Sequence, residues 1–193
     1  MKQYTVAMLV GSLRFESINK KLAKSIVNIS PPNLKYKRVG MDLMPWYNGD
    51  LETNRPSEVR EFVAEIRAAD AVCIVTPEYN RSIPALVKNA IDWGSKPADE
   101  NIWRDKVIAM TGASPGGIGT AVGQQHLRQI LSIQGAYVLP GECYISFKRP
   151  DMIDEAGLVD EESVRIFLTK FCSRFAKFVD LVHSGIDAGP LAR

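Results

Sequence analysis

Short apolar runs alternating with stretches of helical spacing constrain this chain more than any other feature. Four runs have strand character: "YTVAMLV" (4–10), "AVCIVT" (71–76), "KVIAMTG" (106–112) and "AYVLP" (136–140). Three of them are continuous, as strands covered on both faces are. A fifth, "LKYKRVG" (34–40), alternates and belongs at a sheet edge. The intervening segments repeat every three to four residues. Residues 18–29 place Ile18, Leu22, Ile26 and Ile29 on one face, and residues 57–69 do so with Val59, Phe62, Val63 and Ile66. Residues 83–93 carry Leu86, Val87, Ala90 and Ile91, with Pro84 in the first turn, where proline is tolerated. Residues 121–134 carry Val122, Leu127, Ile130 and Leu131, and 161–183 carry a phenylalanine stripe that reads as a core-facing seam.

Strands alternating with helices make βαβ units with right-handed crossovers. Five of each predict an α/β, flavodoxin-like fold: a five-stranded parallel sheet of order 2-1-3-4-5 with helices on both faces. A ligand then sits at the carboxyl ends of the strands, beside the switch point between strands 1 and 3. The 193 residues suit one domain over 1–193, with 184–193 a frayed tail and 149–160 a polar excursion near the site or a subunit contact.

Net charge is +2 with scattered Lys and Arg, so no nucleic-acid stripe is present, while a mildly positive surface suits anionic small molecules. Cys73, Cys143 and Cys172 are widely spaced within apolar stretches and read as buried thiols of a reducing compartment, with no metal site. No run reaches membrane-spanning length and no leader is expected, so the sequence predicts a cytoplasmic protein.

Three loops fall at the expected ligand edge. The first, Gly11 to Asn19, is neither G-x-G-x-x-G nor a P-loop, so the glycine pattern that admits a pyrophosphate is missing. It offers Ser12 and Ser17 hydroxyls, the Asn19 amide and the Arg14 cation at a helix start, an inventory suited to a phosphate monoester. Helix capping by Ser17 or Asn19 is the alternative reading. In the second loop, Pro77 stops a buried strand and Glu78, Tyr79 and Asn80 enter the switch-point crevice, where a flat heteroaromatic ring would find an aromatic wall and backbone amides. The third, Thr111 to Thr120, brings Ser114 and a glycine-rich backbone that can run close to a ligand.

"GSLRFESIN", "VTPEYNRSIPALVKNAIDW" and "HLRQIL" together resemble the NAD(P)H-dependent FMN reductase family, in its chromate and quinone reductase branch, with similarity over most of residues 4–183. The resemblance implies FMN as cofactor and NADPH or NADH as donor, with quinones, chromate or similar metal oxyanions as acceptors in a ping-pong sequence. It implies that Gly11, Ser12, Leu13, Arg14, Ser17, Ile18 and Asn19 hold the FMN phosphate, and that Pro77, Glu78, Tyr79, Asn80 and Arg81 line the ring. Ser114, Gly116 and Gly117 would approach the ring from the third loop. No side chain is then needed as a nucleophile, since the flavin carries the hydride.

Where some relatives carry a second aromatic, this chain has Arg81, a charge that would favour anionic acceptors or the NADPH phosphate. The family implies a homodimer or homotetramer. Trp93, Trp103 and Arg128 are open between interface and ordinary positions, and His126 reads as a satisfied buried imidazole. A one-electron carrier of the flavodoxin type, without NAD(P)H turnover, is the rival reading.

Overall fold

A computed structural model describes residues 2–187. Strand β1 (Tyr4–Val10) pairs in parallel with β2 (Leu34–Arg38) on one side and β3 (Ala71–Val75) on the other. Next to β3 lie β4 (Val107–Ser114) and then β5 (Tyr137–Val138), giving the expected order β2-β1-β3-β4-β5. The helices are α1 (Ile18–Ile29), α2 (Ser57–Ala68), α3 (Ala85–Gly94), α4 (Ala121–Ile133) and α5 (Glu162–Asp187).

Successive strand residues face opposite sides of a sheet, so β1 serves two cores. Val6, Met8 and Val10 pack with Leu22 and Ile26 of α1 and Phe171 and Phe175 of α5. Ala7 and Leu9 join Phe62, Ile66, Ile91 and Leu127 from α2, α3 and α4 on the other face. That double burial is why the central runs are continuous. Both Trp93 and Trp103 are fully buried in the second core and donate their indole N–H to Pro45 O (2.8 Å) and Ile91 O (2.9 Å), so they are core groups.

The chain departs from its sequence pattern in three places. The run 136–140 yields only the two residues of β5, because Pro140 has no N–H and Gly141 turns the backbone at φ +81°. The chain then re-enters as a sixth strand, β6 (Tyr144–Ser146), paired with Gly112–Ser114. This extra partner carries β4 two residues past its expected end, so Ala113 and Ser114 are strand rather than loop. Finally, α5 continues through 184–187, which are helix rather than tail. Gly185 lowers helix propensity without ending the helix, since no proline occurs there. Residues 188–193 of the expected tail lie outside the described residues. Among the described residues, no helix is long and apolar enough to cross a membrane.

Candidate functional site

The β1–β3 junction sends its two following connections to opposite faces, and the opening between them receives the loops after β1, β3 and β4. They enclose a cleft of about 450 Å³, within the usual range for a small-molecule site.

One end is built by the start of α1. Ser17 is the N-cap and its hydroxyl accepts from Lys20 N at 3.4 Å. The N–H groups of Ile18 and Asn19 lie in the first turn, where the helix supplies no acceptor. Ser12 is 4% exposed, lines the cleft, and makes no hydrogen bond among the described residues. Exposed Arg14 lines the same end and likewise has no partner there. A cleft-lining serine hydroxyl without an internal partner, an open helix start and an unpaired guanidinium suit a phosphate monoester.

Asn19 has a different task from the one its type suggested. Its Nδ2 donates to Ala113 O at 2.9 Å and its Oδ1 accepts from Ala113 N at 2.9 Å, tying α1 to the end of β4. The amide is therefore committed to positioning, while the residue still lines the cleft.

Pro77, Glu78 and Tyr79 line the other end, facing Ser114, Pro115 and Phe147. Glu78 Oε2 accepts from Gly123 N at 2.9 Å in the first turn of α4, a favourable place for a carboxylate. Its Oε1 pairs with Arg81 Nη1 at 3.3 Å. Tyr79 and Ser82 exchange backbone hydrogen bonds of 2.9 and 3.0 Å around Asn80 (φ 50°) and Arg81 (φ 64°), a type I′ turn made without glycine. The resulting wall carries one aromatic ring, that of Tyr79, beside Pro77 and Glu78.

Of the expected residues, Ser12, Arg14, Ser17, Ile18, Asn19, Pro77, Glu78, Tyr79 and Ser114 line the cleft. Gly11, Leu13, Asn80, Arg81, Gly116 and Gly117 stand outside that lining. Gly11 is needed for packing, because a Cβ there would lie 2.7 Å from both Thr76 Oγ1 and Val87 Cγ2. Gly117 faces open space.

Sequence reasoning named neither Phe147 nor Lys148, and placed Arg149 and Pro150 only in a polar excursion read as either near the site or a subunit contact. All four line the cleft because β6 delivers the chain there. Arg149 is held by Asp160 and Asp151; the hydrogen bond to Asp160 and the neighbouring charges raise its pKa above the ordinary guanidinium value. Lys148 is exposed. His126 is exposed rather than buried, with Nδ1 3.1 Å from Ser82 Oγ. Arg128 braces the turn after β5, donating to Leu139 O (3.0 Å) and Gly141 O (2.8 Å).

Together the sheet order and the cleft at the carboxyl ends of the strands define a flavodoxin-like protein. Its sequence narrows that class. Residues 4–149 match the family of NADPH-dependent FMN reductases, and the chain belongs to it. It is 37% identical over 175 residues to a 2-hydroxy-1,4-benzoquinone reductase of a Burkholderia species, covering 90% of this chain and 95% of that protein. It is 39% identical over 180 residues to a quinone reductase of Pseudomonas putida, covering 92% and 96%. Among solved structures, the flavoenzyme NAD(P)H:(acceptor) oxidoreductase FerB of Paracoccus denitrificans superposes with a TM-score of 0.88 at 36% identity, covering 92% of this chain and 98% of that one. FMN and NAD(P)H are thus the cofactors of this oxidoreductase family, and the cleft's two ends fit the two ends of FMN.

Proposed function

We propose that this chain is an FMN-dependent NAD(P)H:acceptor oxidoreductase that reduces quinones, and also chromate or similar metal oxyanions, by a ping-pong sequence. The observation that carries the reading is a single cleft with a hydroxyl-rich cationic end at α1 and an aromatic end after β3. Two relatives that nearly match its length are named quinone reductases, which supports quinones as the principal acceptors.

Ser12, Ser17, Arg14 and the first N–H groups of α1 bind the phosphate, while Gly11 and Leu13 shape the loop that presents them. Pro77 and Tyr79 form the ring wall, and Glu78 anchors it on α4. The turn at Asn80 and Arg81 fixes how far Tyr79 projects. Ser114, Gly116 and Gly117 approach from the β4 side. Bound FMN supplies two-electron chemistry, with hydride taken from NAD(P)H and passed to the acceptor. A quinone takes two electrons and two protons overall, one proton arriving with the hydride and one from solvent. Donor and acceptor use the same open cleft in turn, which makes the kinetics ping-pong.

Arg81, 66% exposed at its side chain, offers its charge to anionic acceptors or the NADPH phosphate. The whole chain acts as one domain, in the cytoplasm, as a homodimer or homotetramer. The test is a steady-state panel of quinones and chromate with NADPH and NADH on FMN-loaded protein. Parallel double-reciprocal lines with a quinone are expected. Colourless protein that cannot take up FMN, or flavin-loaded protein that does not oxidise NAD(P)H, would overturn the reading; the second result would leave a one-electron carrier.

A further inference from the structure

We propose that the chain carries a second ligand site, a cleft between α1 and the edge strand β2 that takes a carboxylate with a hydrocarbon body, of the medium-chain fatty acid class. The sheet geometry creates it. Helix α1 packs chiefly over β4, β3 and β1, and along the same face of β2 Leu34 is buried, Tyr36 half-buried and Arg38 exposed. On that face, Tyr36 and Arg38 alternate along β2, and Met8 lies in register beside Arg38. Across from them α1 presents Lys20, Ala23, Lys24 and Val27, spaced as one helical stripe. The space enclosed is about 830 Å³, larger than the cofactor cleft.

Its lining is chemically divided. Met8, Val10, Ala23, Val27 and the Tyr36 ring form an apolar floor, and the Tyr36 hydroxyl is already bonded to Ser30 Oγ at 2.8 Å. Such a floor offers nothing to read the polar edge of a base, so the body it accepts is hydrocarbon. Phe15 stands at the mouth with 96% of its surface exposed, an aromatic ring that a hydrocarbon body would cover.

The rim is cationic. Within this cleft Lys20, Lys21, Lys24 and Arg38 face Glu16 and Glu155; on its other side Arg38 borders a hollow lined by Asp42, Glu58, Glu61 and Glu65, with none of which it forms an ion pair among the described residues. Lys21 is neutralised by Glu155 at 2.8 Å, and Lys24 donates to the Glu155 carbonyl. The Lys20 ammonium meets only the Leu13 carbonyl at 3.4 Å, and Arg38 makes no hydrogen bond or ion pair among the described residues. An anionic head is therefore attracted where the apolar floor ends, and the planar guanidinium of Arg38 matches a carboxylate's two oxygens.

The test uses FMN-loaded protein titrated with decanoate and with decanol by isothermal calorimetry. Decanoate is expected to bind one per chain, at least tenfold more tightly than decanol. Arg38→Ala and Val27→Glu, both on the exposed surface, are each expected to weaken decanoate at least tenfold without changing the flavin content. The proposal is overturned by absence of decanoate binding, by decanol binding equally well, or by several decanoate molecules binding per chain. It is also overturned if decanoate binds only flavin-free protein, which would place it in the cofactor cleft. Should a variant fail to fold, the decanoate and decanol pair on the unaltered chain still decides. None of these outcomes depends on NAD(P)H turnover.

Discussion

Asn19 grips Ala113 through both ends of its amide, donating to the carbonyl and accepting from the N–H, each at 2.9 Å. This pair fixes the start of α1 against the end of β4, and so sets the spacing between two walls of the cofactor cleft. Removing it leaves a buried backbone donor and acceptor unpaired, each costing about 1–3 kcal/mol. Asn19→Ala is therefore expected to lower the unfolding free energy by about 2–4 kcal/mol in urea and to weaken FMN retention together with it. A stable variant with normal flavin content would show that the clamp does not set the cleft.

Arg14 makes no such structural contribution, being exposed and unpaired among the described residues. In the flavin-free protein Arg14→Ala should leave the melting temperature within about a degree of its original value, since surface changes of this kind are nearly neutral. FMN dissociation, followed by fluorescence of the released flavin, should become about ten- to a hundredfold more favourable, the scale of one charge-assisted hydrogen bond of about 1.5–3 kcal/mol. The effect should shrink in high salt. Unchanged retention would remove Arg14 from the phosphate corner.

The corner between β1 and α1 was legible in the sequence because its signals are local. An apolar run ends at Gly11, and Ser17 caps the helix that follows. The parallel sheet followed from strand–helix alternation, and its order from the count of five strands, which suits a flavodoxin-like sheet. What escaped were placements made by distant pairing. Phe147 to Pro150 reach the cleft only because β6 is captured by the end of β4, and a three-residue strand leaves no periodic trace. His126 was misassigned for a different reason. It shares the outer face of α4 with Val122 and Ile133, which are 37% and 82% exposed, so apolar neighbours on that helix do not mark its buried side. The task of Asn19 was also hidden, because its partner lies 94 residues away.

The turn at Asn80 and Arg81 stores strain that substitution can release. A non-glycine residue at φ 64° costs about 1–2 kcal/mol, while glycine there adds back about 0.5–1 kcal/mol of unfolded-state entropy. The Arg81 pair with Glu78 offsets little of this, because the arginine side chain is 66% exposed. Arg81→Gly is thus expected to raise the unfolding free energy by about 0.5–1 kcal/mol, measured in urea. If Arg81 also meets an anionic substrate, KM for that substrate rises in the same variant while KM for a neutral quinone does not. Destabilisation instead would mean that the ion pair outweighs the backbone strain.

The three cysteines make alkaline pH a probe of the core. All are free and buried; burial pushes the Cys143 thiol up to about 12 and raises those of Cys73 and Cys172 as well. An unfolded thiol ionises near pH 8.5, so above that pH the unfolded chain binds fewer protons than the folded one. The thiols' contribution is therefore fully present below about pH 8 and is lost as pH rises, at up to about 1.4 kcal/mol per pH unit for each thiol. Cys143→Ala should be less stable than the unaltered chain at neutral pH, through lost packing, yet lose less stability between about pH 9 and pH 11, by up to about 1.4 kcal/mol per pH unit. Urea unfolding across that range checks the difference in slope. Equal slopes would mean that the Cys143 thiol ionises in the folded chain as readily as in the unfolded one.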